Sequence, residues 1–548
     1  MSELRLVPAA ALTWAVALAA IHGHAPLGAC LVGVVAAVCL LLGSWGQALV
    51  TGSCGAASLA VAAERVTEGR RALPGLLRAT VLGEPKSLPG GSWLVRVRVP
   101  GYPAEVPLFI RGQEEPSLPR GGTLSAAVDW AGSERAGVGR WVGTVRWWEA
   151  EEPAGVHAWV NRVHEEFREA VVRHMGASSQ GIAPGMVLGD TSLQAQDERA
   201  AYLASGLSHL SAVSGANVTI VATCAFLLCR LCGLGPRVQV ASAGALVALF
   251  FLLVGPEPSV LRATVTGLVG LAAVARSATF PPLHALSVSV IALVLYDSDL
   301  ACRWGFALSV GATAGIVACY RIFYRLCART RLPDVVARAV AVAAAADLAT
   351  APLVAAMSGR VSLVSVCANV AVGAAVAPVT VLGLVAVAWG CLRLPGQGIP
   401  LHLMEPCTWW IHRVARYASS LPYATVEARP EWVILGYAWL LYLALALRGR
   451  RFLLLMGALA GALLTAAWSS RAAPEADLSR LRVAVVDTEE EALRVPPGAQ
   501  AIVVRDPSGR PAQYPSQTAA GVPVLFPARD GPVSLRNDGT QRAADGRF

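Results

Sequence analysis

The stretches VPAAALTWAVALAAI, from Val7 to Ile21, and PLGACLVGVVAAVCLLL, from Pro26 to Leu42, decide the fold class of this 548-residue chain. Each stretch is apolar almost throughout, and a helix needs roughly 20 such residues to cross a bilayer. Apolar blocks dominate again from Leu207 onward, and they do not alternate as the strands of a membrane β-barrel do. The sequence therefore predicts a polytopic α-helical membrane protein with about 10–13 spans.

The composition supports this class and excludes others. Hydrophobic residues make up 55% of the chain and charged residues only 15%, which excludes a cytosolic globule, a disulfide scaffold and a disordered chain. The formal net charge is +9, and Lys86 is the only lysine. Such a basic balance is typical of cytoplasmic loops that obey the positive-inside rule, or of a phosphate-rich partner, and charge alone does not choose between them.

A polar insert, residues 64–152, interrupts the apolar blocks. Its segments SWLVRVRV from Ser92, EVPLFIRG from Glu105, TLSAAVDW from Thr123 and WVGTVRWW from Trp141 alternate apolar and polar residues between turns. This alternation predicts a small β-barrel, for which an OB-fold is the leading candidate. Its aromatic residues could stack on the bases of a single strand or pack in the core. The candidate nucleic-acid contacts of the insert are Trp93, Arg96, Arg98, Arg111 and Trp141.

The insert divides the chain into successive regions. We expect N-terminal spans in residues 1–63, the OB-like domain in 64–152, an amphipathic interfacial helix in 153–180, a transmembrane domain in 181–470 and a polar tail in 471–548. Three opening spans after a cytoplasmic N-terminus would place the insert outside the membrane. Counting membrane crossings onward from there places Arg321, Arg325 and Arg329 on the cytoplasmic side. The later RGRR run from Arg448 is also cytoplasmic if Val361 to Cys391 crosses the membrane twice. These three arginines share one helical face and serve either to anchor the loop or to contact phosphates.

Polar residues are concentrated at VLGDTS from Val187 and at GLSHLSAVSGANVTIV from Gly206. Polar groups in membrane segments are costly and therefore mark functional sites, although helix packing uses them too. His209 and Ser214 would lie roughly 140° apart on a continuous helix at about 100° per residue, so a hydrolytic dyad would require a broken helix or another histidine.

Arg262, in GPEPSVLRAT, lies at the start of a span. It could meet an anionic substrate, or it could pair with a carboxylate such as Asp347 in a neighbouring apolar block. Asp297 lies at a helix end, where solvated caps are common.

The motifs VLGD, GLSHLSAVSGANV, GPEPSVLRA, YDSDLACRWGFALSVGATAGI and APLVAAMSGRVSLVSVCANVAVGAAVAP occur in one order between Val187 and Pro378. In this order and spacing the chain resembles the competence membrane-channel family, the ComEC-type DNA internalisation proteins. The resemblance covers roughly Leu6 to Trp468, including the external OB-like insert. The positions that match the family as channel residues are Asp190, His209, Ser214, Gly215, Asn217, Arg262, Asp297, Asn369 and Pro378.

The resemblance implies a multi-pass channel of the bacterial cytoplasmic membrane that translocates single-stranded DNA during natural transformation. It implies that the channel residues line a pore or pack helices, with no catalytic residue, cofactor or metal and no enzyme activity. The expected partners are single-stranded DNA, the lipid bilayer, a cytoplasmic helicase-like motor and single-strand-binding proteins, and a homo-oligomer is a further possibility. Two alternatives stay open: a transporter of another anionic polymer or lipid-linked substrate, and an intramembrane serine hydrolase that uses Ser214.

Many members of this family continue into a metallo-β-lactamase-like domain. Here LRVAVVDTEEEALRVPPGAQAIVVRD, from Leu481, resembles the first strands of such a domain, but no histidine follows His412. A zinc site that needs several histidines cannot form in this tail, and about 80 residues are too few for the complete domain. We therefore expect the tail to be a truncated or degenerate start of that domain, without nuclease activity.

Overall fold

The computed structural model shows a helix-rich chain that divides into two units, residues 1–419 with 424–444 and residues 420–423 with 445–548. The structure describes residues 4–88, 92–112, 116–133, 135–275, 281–329, 332–421, 423–446, 481–492, 499–507, 515–518, 522–536 and 541–543. The sequence also predicts a last span from Phe452 to Trp468, and this stretch lies outside the described ranges.

Sixteen α-helices are described before residue 447. They are α1 (Val7–Ile21), α2 (Ala25–Leu41), α3 (Trp45–Glu68), α4 (Val156–His174), α5 (Ala177–Gln180), α6 (Ala183–Leu188), α7 (Gln196–Ala204), α8 (Gly215–Leu231), α9 (Pro236–Val254), α10 (Pro258–Ala275), α11 (Pro282–Tyr296), α12 (Trp304–Cys327), α13 (Asp334–Ser358), α14 (Ser365–Cys391), α15 (Gly398–Ser419) and α16 (Pro430–Ala446). Short 3₁₀ helices, Ser208–Leu210 and Ser298–Cys302, precede α8 and α12.

Five of the described helices are long and apolar enough to cross a membrane: α3, α9, α12, α13 and α14. Shorter apolar helices are α1, α2, α8 and α11. Helices α1, α2, α9 and α11 have proline at their first or second position, where the backbone N–H has no partner within the helix. The chain is therefore a multi-pass membrane protein by helix length and composition, while the count of about 10–13 spans stays a prediction.

Helix α14 corrects one part of the predicted topology. Residues 365–391 form one continuous helix with Pro378 inside it, whereas the orientation count required this stretch to cross twice. A proline in a helix removes one backbone hydrogen bond, which neighbouring helices and local adjustment can offset in an apolar bundle. The placement of the RGRR run on the cytoplasmic side therefore loses its support.

The insert forms a six-stranded sheet. Its strands are β1 (Leu76–Val81), β2 (Lys86–Leu88), β3 (Ser92–Arg98), β4 (Glu105–Arg111), β5 (Thr123–Gly132) and β6 (Trp141–Glu151), in the order β1-β5-β6-β4-β3-β2. All neighbours are antiparallel except β4 and β6, which are parallel. β1 also meets β3, but only through Thr80 with Arg98 and Val81 with Val97. The sheet is thus not the closed barrel that the alternation predicted, because its first strand joins β3 at one end only.

Alternation along these strands builds the core of the insert. Val95 and Val97 of β3 and Val106 and Leu108 of β4 are fully buried, while the residues between them face outward. Ile21 at the end of α1 and Val66 near the end of α3 belong to the same buried cluster. The insert therefore packs directly on the opening helices.

Ion pairs and hydrogen bonds fix this packing. Arg65 of α3 pairs with Asp297 at 2.8 Å, and Arg303 pairs with Glu105 of β4 at 3.0 Å. The backbone N–H of Val138 donates to Asp299 Oδ1 at 2.6 Å. These contacts attach the sheet to the 3₁₀ segment between α11 and α12.

The predicted amphipathic helix is α4, and its apolar face is buried. Val160, Val163, Phe167 and Val171 lie in the main core of the helical unit, together with residues of α6, α14 and α15. The 3.6-residue spacing of these side chains explains why one face packs inward while charged residues line the other.

The described part of the tail contains a four-stranded sheet and a hairpin. Strands β9 (Val483–Val486), β10 (Ala501–Val504), β11 (Ser516–Gln517) and β12 (Pro523–Leu525) follow the order β11-β12-β10-β9, with β9, β10 and β12 parallel. Strands β13 (Val533–Leu535) and β14 (Gln541–Ala543) form the hairpin, and β7 (Arg360–Ser362) pairs with β8 (Thr425–Glu427) in the helical unit. Short helices in the tail are Glu489–Ala492 and Pro527–Asp530.

The packing of the insert predicts a strong effect of Gly143→Ala. A Cβ at this position of β6 would overlap the side chains of Val128 and Leu108 in the core, so the free energy of unfolding should fall by about 1–3 kcal/mol. Gly132→Ala on β5 is the matched control, since a Cβ there meets nothing within 4 Å. Thermal unfolding of the two full-length variants in detergent measures the difference, and equal stabilities would contradict the described core.

Candidate functional site

A buried polar cluster forms where α8 begins. Ser214 precedes the helix in an extended conformation, and its hydroxyl donates to Asn217 Oδ1 at 3.1 Å. Asn217 is 2% exposed, and its Nδ2 donates to the backbone carbonyl of Met186 at 2.7 Å. The amide therefore satisfies a backbone group near the end of α6 and ties α6 to the first turn of α8.

Arg262, near the start of α10, lies against this first turn. Its Nε donates to Ser309 Oγ of α12 at 2.8 Å, and the side chain is buried, at 7% exposure. A Cβ on Gly215 would come within 2.6 Å of Arg262 Nη2, so glycine is needed for this close approach. Ser259 of α10 also donates to the carbonyl of Val213, at 3.0 Å, which joins α10 to the chain before α8.

No carboxylate pairs with Arg262 among the residues that the structure describes. The predicted alternative, Asp347, accepts a hydrogen bond from the Tyr437 hydroxyl of α16. The structure does not show the pairing of Arg262 with Asp347, because this carboxylate is hydrogen-bonded to Tyr437 and Arg262 to Ser309. The guanidinium is a buried cation whose only hydrogen-bond partner in the described ranges is a neutral hydroxyl.

Asp190 belongs to a separate ion network. Gly189 ends α6 in the left-handed conformation, at φ +81°, and this turn directs Asp190 toward α4. Its Oδ2 accepts from Arg168 Nε at 2.9 Å, and Arg168 Nη2 reaches Glu84 of the insert at 2.7 Å. Burial alone would raise the pKa of Asp190, but hydrogen bonds from Ser192 and the charge of Arg168 outweigh burial and lower this pKa.

His209 and Ser214 are not brought together as a dyad. His209 lies in the 3₁₀ turn and is exposed. Gly206 has φ +74°, and a Cβ there would come within 2.6 Å of Ser365 Oγ on α14. The turn thus packs on α14, while the Ser214 hydroxyl is directed to Asn217.

The other predicted channel residues lie elsewhere in the bundle. Asp297 takes part in the ion pair with Arg65 described above. Asn369 donates to the carbonyl of Ser365 in its own helix at 2.9 Å, and Pro378 is half-buried inside α14. The structure therefore gathers Ser214, Gly215, Asn217 and Arg262 at one place, whereas Asp297 pairs with Arg65 of α3.

Arg321 and Arg325 are exposed in the last turns of α12, and Arg329 is exposed just beyond it. None of the three has an ion-pair partner in the ranges described, so they form an accessible basic strip. A separate ion pair, between Arg338 and Asp334 at 2.8 Å, occupies the start of α13.

The two tryptophans of the insert that were predicted to contact DNA donate their indole N–H groups to backbone carbonyls. Trp93 Nε1 donates to the carbonyl of Gly112 at 3.1 Å, and Trp141 Nε1 donates to that of Arg71 at 2.9 Å. Both rings pack against the buried core of the sheet. Trp147 of β6 is 54% exposed and was missed by the sequence reasoning, although its place next to Trp148 in an alternating strand indicated that one of the two faces outward.

The outward face of β3 and β4 carries a different set of residues. Leu94 lies opposite Phe109, and both are half-buried. Arg111 and Arg98 are exposed at the ends of these strands, while Arg96 lies 3.7 Å from Glu105. An aromatic ring flanked by arginines is the kind of surface that binds single strands by stacking and charge.

Within the described residues, no group of three or more His, Cys, Asp or Glu side chains is placed to hold a metal ion.

Two partners of buried carboxylates escaped the sequence analysis. Arg168 and Tyr437 lie far along the chain from Asp190 and Asp347, and only an amphipathic helix and an apolar block marked their positions.

Comparison with known families identifies part of the chain. Residues 186–451 match the model of a family described as Competence protein, and this range contains Asn217, Arg262, Asn369 and Pro378. No curated protein and no solved structure matches the chain.

The Arg168 network predicts a strong effect of Arg168→Gln. Because this change leaves the buried carboxylate of Asp190 without its cation, we expect the free energy of unfolding to fall by about 3–5 kcal/mol. Adding Asp190→Asn should recover part of that loss. Arg173→Gln on the same helix removes an exposed pair with Glu169 and should cost less than about 1 kcal/mol.

Thermal unfolding in detergent measures these differences, and equal effects of the two arginine changes would contradict the network. The pKa of Asp190 is lowered in the folded state, so its stabilising contribution is present above the unfolded pKa and is lost as the pH falls below it. Asp190→Asn should remove this part of the acid sensitivity.

Proposed function

Since residues 186–451 belong to the competence protein family, we propose that this multi-pass membrane protein translocates single-stranded DNA into the cytoplasm during natural transformation. The family match is the observation that carries the proposal. It covers helices α8 to α16 and the polar cluster at the start of α8. The family suggests a role in competence and DNA uptake. Our proposal is more specific, namely that one DNA strand passes through this chain.

The proposal accounts for polar groups that are otherwise costly in an apolar bundle. A DNA strand carries one negative charge per nucleotide, and it needs a polar path with cationic groups to cross the hydrocarbon layer. Arg262 and the polar residues at the start of α8 lie among helices of the family-matched region. The accessible arginines at 321, 325 and 329 could then receive the strand on the cytoplasmic side.

The insert supports the proposal through its strand order. With β2 set aside, the strands β1, β3, β4, β6 and β5 adjoin in the sequence of an OB-fold, with the parallel contact between its third and fifth strands. Such folds are often partly open and bind oligonucleotides on the face of their second and third strands. In this chain that face is the outward side of β3 and β4, with Phe109 and Leu94 between Arg96 and Arg111.

We place the insert outside the cytoplasmic membrane of a bacterium, where it would collect the strand. The energy would come from a cytoplasmic helicase-like motor or from single-strand-binding proteins that hold the strand after it emerges. The proposal assigns no bond-breaking step to this chain. The hydrogen bond from Ser214 to Asn217 is consistent with a packing role for that serine.

The proposed function predicts the phenotype of a deletion. In a transformable host that lacks this gene, labelled DNA should still bind outside the cell but should not become resistant to external nuclease in the cytoplasm. Restoring the wild-type gene should restore uptake, with membrane levels checked by immunoblotting. Unchanged uptake in the deletion strain would exclude DNA internalisation and would favour transport of another anionic polymer or a lipid-linked substrate.

The outward face of β3 and β4 predicts a binding defect. Phe109→Ala together with Arg111→Gln should weaken binding of a single-stranded oligonucleotide to the full-length protein about tenfold, because one stacking contact and one phosphate contact are lost. Arg146→Gln on β6 is the control, since this exposed arginine already pairs with Asp129. Fluorescence anisotropy measures the affinities, and equal binding by both variants would move the DNA site away from this face.

A further inference from the structure

Among the described residues, the guanidinium of Arg262 has no carboxylate as a counter-charge. Its Nε donates to Ser309, and no other hydrogen bond or ion pair of this side chain is present among the described residues. The side chain is 93% buried, as its 7% exposure shows. A buried cation that lacks a carboxylate costs several kcal/mol of desolvation, so this position is not explained by stability of the fold.

The start of α8 adds a second positive feature at the same place. The helix is 17 residues long, from Gly215 to Leu231, and no side chain caps its N-terminus. Ser214 stands in the capping position, but its hydroxyl donates to Asn217 Oδ1 and does not accept from the helix. The first N–H groups of a helix carry the positive end of its dipole and favour an anion.

Gly215 brings the two features together. Because it has no side chain, Arg262 Nη2 can approach the first residue of the helix, where a Cβ would lie only 2.6 Å from that nitrogen. Ser309 holds the Nε side of the guanidinium, so the two Nη nitrogens remain for a ligand. A cation directed at the positive end of a helix dipole is unfavourable by itself and becomes favourable when both act on one anion.

We propose that Arg262 and the N-terminus of α8 form a binding site for one phosphodiester group of a single-stranded nucleic acid. Arginine and helix N–H groups together match the geometry and charge of a phosphate oxygen pair. The identity of the strand as the ligand rests on the proposed function. One such site binds a single phosphate at a time, which lets the strand advance as successive phosphates exchange.

The test uses the full-length protein in nanodiscs of phosphatidylcholine and a fluorescent oligothymidylate. Arg262→Gln should weaken binding roughly tenfold, as expected for the loss of one charge-assisted hydrogen bond. A plot of log affinity against log salt should become shallower by about 0.7, the contribution of one phosphate contact to a single strand. An oligonucleotide with a neutral methylphosphonate backbone should show no difference between wild type and variant.

Two controls separate the site from general effects of charge and folding. Arg338→Gln removes an exposed arginine that pairs with Asp334 and should leave both affinity and salt slope unchanged. Gly215→Ala keeps the charge but displaces the guanidinium from α8, so it should weaken binding as well. Gly267→Ala in α10 meets nothing within 4 Å and should bind like wild type.

Thermal unfolding distinguishes a ligand site from a structural role. Because no described carboxylate pairs with Arg262, Arg262→Gln should be at least as stable as wild type without DNA. Added oligothymidylate should raise the melting temperature of wild type and raise that of the variant less. A variant that loses stability without DNA and keeps the wild-type salt slope would overturn the proposal.

The remaining outcomes separate this inference from the proposed function. If deletion of the gene abolishes DNA uptake while Arg262→Gln supports normal uptake and binding, the phosphate site is wrong and the channel stands. If binding depends on Arg262 but deletion leaves uptake intact, the site stands and DNA internalisation is wrong. A parallel measurement uses nanodiscs that also contain phosphatidylglycerol. If Arg262→Gln changes only the binding of that anionic lipid, the occupant is a lipid headgroup and the proposal for nucleic acid is overturned.

Discussion

The requirement that backbone N–H and C=O groups be hydrogen-bonded within an apolar medium governs the architecture of this protein. It makes each apolar block a helix, and it confines irregular backbone to places where protein groups satisfy it. The clearest interruption lies between α7 and α8, where Gly206 allows a turn that packs on α14. Asn217 then binds the free carbonyl of Met186 beside this interruption. The polar cluster thus supplies hydrogen-bond partners where one helix ends and another begins.

Charges in this protein divide into those that hold its parts together and those that have no counter-charge. Two arginines outside the sheet pair with carboxylates of the insert, Arg168 with Glu84 and Arg303 with Glu105. Arg65 of α3 pairs with Asp297. Arg262 differs, since the described structure offers it only the hydroxyl of Ser309. Removing one partner of a buried pair leaves an uncompensated charge and destabilises the fold, whereas removing Arg262 leaves no described carboxylate unpaired.

The insert shows how much of a sheet can be predicted from the alternation of apolar and polar residues. This alternation predicted four of the strands, and the buried valines of β3 lie in the core as expected. Closure of the sheet was not predictable in the same way, because it depends on how few residues β1 shares with β3. Likewise, Trp93 and Trp141 were reasonable candidates for stacking, but their indole N–H groups are bound by backbone carbonyls that lie 19 and 70 residues away.

The sequence by itself determined the membrane class, the position of the insert, the amphipathic face of α4 and the family motifs between Val187 and Pro378, because these depend on local composition and spacing. It also marked Arg262 and Asp347 as costly polar residues. Only the tertiary structure decided that Tyr437 binds Asp347, that Arg168 binds Asp190, and that Arg262 meets the start of α8. Electrostatic partners come from distant parts of the chain, and the energy of a buried charge depends on which of them the fold brings within a few ångströms.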